Sequence, residues 1–133
     1  MRDSGTFRQD DPSIPPEEDL YRNVLDTCII REQASGRVRL TTDTFRDRRG
    51  EISVNLSSLA TPAQSLALGI PRHVGVVAIT AREARQLDQI VVRNPIPVNR
   101  AHALVCGRQT RATRRRMAEI ARWVYPPDRN PLT

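Results

Sequence analysis

The sequence predicts an α+β domain: a small mixed sheet with short helices mainly on one face and a C-terminal amphipathic helix. Three observations carry this. Short apolar runs, several of them strictly alternating, recur between turn residues as strands do. Two capping boxes start short helices between those runs. Met117, Ile120, Ala121 and Val124, at i, i+3, i+4 and i+7, form one helical stripe near the end of the chain.

The elements follow in order. Residues 20–25 and 28–30 are apolar stretches too short for periodicity to separate strand from helix end. Residues 37–41 alternate, with Val38 and Leu40 on one face and Arg37 and Arg39 on the other. A charged turn, Arg46-Asp47-Arg48-Arg49-Gly50, leads to residues 51–56, where Ile52, Val54 and Leu56 point inward. A hairpin joining these two strands is predicted. Thr61, Pro62 and Gln64 stand as N-cap, first and third positions of a helix running to about Leu68, which Gly69 ends. Residues 74–80 are nearly all apolar and suit a strand buried on both faces. Thr80 with Glu83 starts a second helix, and residues 90–92 form another strand. Pro95 and Pro97 stiffen the following loop. Residues 101–106 are a further strand, and residues 110–124 the final helix.

Length fits one domain, at 133 residues. Its predicted extent is 18–126, between an acidic disordered tail at 1–17 and a Pro-containing tail at 127–133. The tail reading rests on charge: residues 1–20 set two arginines against six carboxylates and hold few apolar side chains to offset ordering entropy. Such a head either solubilises the chain or folds over the basic C-terminal end, where residues 108–133 set seven arginines against two carboxylates.

No segment approaches the ~18 apolar residues of a membrane span, and the polar N-terminus lacks the blocks of a signal peptide, so a cytoplasmic protein without a membrane partner is expected. Cys28 and Cys106 form no CxxC pair and read as buried reduced thiols. The aromatic set is small, Phe7, Tyr21, Phe45, Trp123 and Tyr125, and packing needs account for it, which argues against base stacking.

All 21 positive side chains are arginine, and there is no lysine. The guanidinium presents a planar fork of five donors that fits phosphate and carboxylate bidentately. A GC-rich coding sequence would give the same composition, so both readings stand. The sharpest local feature is the junction between the last strand and the last helix. Gly107 is followed by Arg108, and Arg111, Arg114, Arg115 and Arg116 crowd the first turns of the helix. A helix N-terminus already carries about half a positive charge, so each arginine there is unfavourable by ~0.3–1 kcal/mol unless an anion joins it. At about 100° per residue, Arg111, Arg115 and Arg122 fall opposite the core stripe, Arg114 lies at their border and Arg108 at their head. These five form a predicted anion-binding or nucleic-acid-binding ridge, with a solvated helix face as the plain alternative. The GxxxxGK[ST] loop of nucleotide hydrolases is absent.

The histidines support catalysis weakly. His102 and Cys106 share a strand face but stand ~13 Å apart at ~3.3 Å per residue, too far for a nucleophile and base. His73 sits in a Pro-Arg-His turn. A metal site would need distant ligands such as Asp43 or Glu51, so no metal, cofactor or catalytic residue is predicted.

Leu20-Tyr21-Arg22, Gly36-Arg37-Val38, Phe45, Glu51-Ile52-Ser53-Val54 and Asn99-Arg100-Ala101-His102-Ala103 together resemble a group of small bacterial proteins without an assigned activity, over roughly residues 20–106. The resemblance implies a bacterial origin. A fainter likeness is to ADP-ribosyltransferase-like folds, in which a first strand ending in Tyr-Arg or Tyr-His faces a Ser strand and a late Glu. It implies a nucleotide or ADP-ribose site at Arg22, Glu51, Ser53 and His102, although Glu51 precedes the Ser strand and no late glutamate follows.

The function expected from these observations is a non-enzymatic bacterial accessory module. It binds an acidic partner, nucleic-acid backbone foremost, through the C-terminal arginine ridge. The alternatives are the nucleotide-binding enzyme and a regulatory subunit whose ridge meets an acidic protein surface. The sequence sets no oligomeric state.

Overall fold

The computed structural model of the chain describes residues 8–127. It has the α+β fold that its sequence predicts, built on a six-stranded sheet with a separate two-stranded hairpin. In chain order the elements are β1 (Asp19–Leu25), β2 (Ile29–Arg31), β3 (Val38–Leu40), β4 (Glu51–Leu56), α1 (Pro62–Ala67), β5 (His73–Thr80), α2 (Ala81–Gln86), β6 (Ile90–Arg93), β7 (His102–Cys106), α3 (Arg111–Ile120) and β8 (Arg122–Tyr125). The large sheet runs β6-β7-β4-β1-β5-β8, and β2 pairs with β3. Every ladder is antiparallel rather than mixed.

Strand alternation sorts the apolar side chains onto two faces. Leu20 and Val24, Ile52, Val54 and Leu56, Val77 and Ile79, Ala103 and Val105 meet Ala81 and Ala84 of α2, Met117 of α3 and Phe45 in the main core. Tyr21, Val76 and Ala78 face the other way, against Leu66 of α1. Two helices thus cover one face and one the other. Both capping boxes form, Thr61 with Gln64 and Thr80 with Glu83, each hydroxyl accepting from the third residue's N–H while that residue's side chain accepts from the cap's N–H.

Three further expectations are corrected. The hairpin predicted between residues 37–41 and 51–56 does not form: β3 pairs with β2, and β4 lies between β7 and β1. Both strands have suitable alternation, but partner choice is set by the whole sheet. The final helix does not run to 124. Ala121 turns to extended geometry, and Arg122–Tyr125 pairs with β5 as an edge strand. Third, the head is not disordered throughout. Residues 1–7 and 128–133 lie outside the described residues, but residues 8–17 pack on the domain. Ile14 is 1% exposed within the main core. Asp11 N–H donates to Val91 O at 2.9 Å, and the Asp10 carboxylate accepts from Val91 N–H at 2.9 Å and from Arg85 Nε at 3.0 Å. Asp10 and Asp11 therefore face Arg85 of α2 and Arg93 of β6, whereas Asp19, in β1, pairs with the C-terminal Arg122.

Between β1 and β4 only Leu20↔Leu56 and Tyr21↔Asn55 pair before the strands part. Arg22 spans the resulting split. Its guanidinium donates to Thr44 O at 2.9 Å, Ser53 O at 2.9 Å, Arg46 O at 3.1 Å and the Asp47 carboxylate at 3.0 Å.

Candidate anion-binding site

Where β4 begins and β7 ends, the chain makes two tight turns side by side. Gly50 has φ +68°, and a Cβ there would lie 2.6 Å from Gly107 O, so only glycine allows the approach that brings the Arg46–Gly50 turn onto the Gly107–Thr110 turn. Gln109 fastens the two: its Nε2 lies 3.0 Å from Gly50 O and 3.0 Å from Gln89 Oε1. Gln89, itself buried, donates to Arg108 O at 3.0 Å. The Thr110 hydroxyl then caps α3 by accepting from Thr113 N–H at 3.1 Å.

Between these turns lies a cleft of about 360 Å³, lined by Arg46, Asp47, Arg49, Arg108, Gln109 and Arg114 with the two glycines. Arg49 holds φ +57°, a left-handed conformation that costs a side-chain-bearing residue of order 1 kcal/mol. Arg49 and Arg108 have no side-chain partner among the described residues. Arg114 donates through Nη1 to Gln109 O at 2.8 Å, but its Nε is buried with no acceptor. An unmatched buried donor costs ~1–3 kcal/mol. The only carboxylate in the cleft, Asp47, is already engaged. It accepts from Arg48 N–H at 2.8 Å, Ser53 N–H at 3.2 Å and Arg22. Burial pushes its pKa up, but the Arg22 charge and these donors outweigh that and hold it below the usual carboxylate range. Four arginines thus line one cleft: Arg46 pairs loosely with Asp43 at 3.8 Å, and no carboxylate among the described residues pairs with Arg49, Arg108 or Arg114.

The structure divides the expected ridge. Arg108 and Arg114 reach the cleft, Arg111 and Arg115 stand exposed along α3, and Arg122 leaves the helix to form an ion pair with Asp19 from β8. Arg46 and Arg49 were legible only as a charged turn. Nothing local shows that this turn meets the start of α3.

A second cleft of about 400 Å³ opens at the β1/β4 split. It gathers three of the four residues of the alternative nucleotide site, Arg22, Ser53 and His102, with Asn23, His73 and Asn99. Glu51 is elsewhere, accepting from Arg8 Nε at 3.0 Å. Arg22 has committed four N–H···O bonds to its own fold and offers little to a pyrophosphate. Asn23, Ser65, Asn55 and Asn99 satisfy one another in a chain of bonds of 2.7–2.8 Å. His73 Nδ1 accepts from Ile70 N–H at 2.9 Å, so its proton sits on Nε2, and burial with the Arg22 charge lowers its pKa. His102 Nδ1 lies 2.8 Å from Asn94 O, which sets the opposite tautomer.

Cys28 and Cys106 are free and buried, and burial beside Glu51 raises the Cys106 thiol to about 11. Among the described residues, no group of three His, Cys, Asp or Glu could hold a metal ion, and no helix is long and apolar enough to cross a membrane. No family model, curated protein or solved structure matches the chain.

Proposed function

We propose that the chain is a non-enzymatic bacterial accessory module that binds nucleic-acid backbone at the basic cleft beside α3. The observation that carries this is the convergence of Arg46, Arg49, Arg108 and Arg114 on one cleft whose sole carboxylate is neutralised by Arg22. A phosphate there would offset the repulsion among the guanidinium groups, accept from the buried Arg114 Nε and lie near the N-terminus of α3, whose dipole favours an anion. Contacts of this kind position a backbone without reading its sequence.

The test is anisotropy of labelled oligonucleotides of unrelated sequence, titrated with the full chain at a series of salt concentrations. Binding should be sequence-independent, and log K should fall linearly with log salt. Replacing Arg49 and Arg108 by Gln should weaken it and flatten the slope by ~0.7–0.9 per lost phosphate contact. Arg122→Gln should leave the slope as it is. Equal affinity in the double variant, or tighter capture of an acidic polypeptide than of any oligonucleotide, would refute the proposal.

A further inference from the structure

On the other flank of α3 lies a groove of about 670 Å³, between the β2–β3 hairpin and the helix. Its apolar floor is made by Ile30, Val38 and Leu40 of the hairpin with Ala118, Ala121 and Trp123. Trp123 packs against the main core and remains partly exposed. The side chains of Arg37 and Arg115 stand at the rim with no partner among the described residues. The other charges there are paired, Arg39 with Glu32 at 2.8 Å and Glu119 with Arg116 at 3.5 Å. Thr41, also in the lining, holds a buried hydroxyl with no hydrogen-bond partner.

An indole among aliphatic side chains, an unmatched hydroxyl and two guanidinium groups without a side-chain partner suit a planar polar ring joined to a phosphate. The groove and the basic cleft flank the same helix. Arg114 lines the cleft and Arg115, the next residue, lines the groove, while Thr42 in the groove starts the 3-10 turn Thr42–Phe45 that leads to Arg46 in the cleft. A phosphate site and a base site thus share α3 and the turn that precedes β4, within reach of one strand.

We propose that the partner is single-stranded nucleic acid, one base of which stacks on Trp123 while phosphates elsewhere along the strand occupy the arginine cleft. This rests on the nucleic-acid reading above and narrows it. A duplex keeps its bases paired inside and satisfies the cleft alone, whereas an unpaired base reaches the indole face. The small aromatic set, which argued against stacking, leaves one ring placed for it.

Trp123 is the only tryptophan, so its emission reports this groove without any substitution. The full chain is titrated at fixed low salt with a thymine homopolymer and with a duplex of the same length. The single strand should quench Trp123 saturably and bind about tenfold more tightly than the duplex. Trp123→Leu should remove that preference while leaving duplex affinity unchanged. Arg37→Gln, an exposed hairpin position, should weaken the single strand selectively even if the tryptophan variant folds poorly. Equal binding of both forms with no change in Trp123 emission would overturn the stacking proposal and leave the phosphate reading in place. Failure of both forms to bind would overturn the phosphate reading and this one with it.

Discussion

Removing the Arg22 side chain is the perturbation most informative about the second cleft. The Arg22 side chain is 15% exposed, and its guanidinium makes four N–H···O bonds, to three carbonyls and to Asp47. At ~1.5–3 kcal/mol for a bond involving a charged group, independent summation would give ~6–12 kcal/mol, as large as the whole stability of a typical domain. That overstates the loss. The cleft is open enough for water to reach the exposed carbonyls, and Asp47 keeps two backbone donors. Breaking one partner out of a buried pair costs ~3–5 kcal/mol, and the 29% exposure of Asp47 places Arg22→Gln at the low end, about 3 kcal/mol. For a domain of this size that is a fall of ~12 °C in Tm at roughly 4 °C per kcal/mol. Arg22→Lys should recover only part of it, since an ammonium can pair with Asp47 but cannot span three carbonyls. Calorimetry of both variants checks this. An Arg22→Gln protein that melts within ~2 °C of the parent would refute the bracing role and return Arg22 to the nucleotide site.

Two further outcomes follow from the geometry. Ile14→Ala should cost about 3 kcal/mol in urea unfolding, the usual loss for truncating a fully buried Ile, and a loss under ~1 kcal/mol would show that residues 8–17 merely lie on the surface. His73 has a folded pKa below its ordinary 6.5, so below that pH the unfolded chain binds the extra proton. Its contribution should be intact above pH ~6.5 and decline as pH falls toward the folded value; a His73→Gln protein with an unchanged Tm–pH profile would refute this.

The local features of the chain were legible and the long-range ones were not. Thr61 with Gln64 and Thr80 with Glu83 announce their helices because a capping box closes within four residues. The 110–124 pattern misleads after Ile120: Ala121 and Val124 fit a helical stripe, yet Val77 and Ala78 of β5 recruit Trp123 and Arg122 into a ladder that no local signal encodes. Composition alone reads residues 1–17 as a tail, and a single isoleucine with two aspartates suffices to seat their second half. Of the anion site, Arg108 and Arg114 follow from charge crowded at a helix start. Arg46 and Arg49 join them only through the contact of two glycines distant in sequence.

The strand order also governs how the chain must fold. Leu20 of β1 pairs with Leu56 and Ile79, Ile52 of β4 with Val105, and Val77 of β5 with Trp123, so within the large sheet only β6 and β7 are near neighbours along the chain. Each of the other ladders closes a long loop before any pairing repays its entropy, which puts acquisition of the native sheet in the slow, millisecond-to-second regime of non-local topologies. During that interval β1, destined for the interior of the sheet, waits as an unpaired strand for partners made much later. A nascent chain of this order is most vulnerable to intermolecular pairing before β5 arrives, and it is then that a chaperone would have most to do.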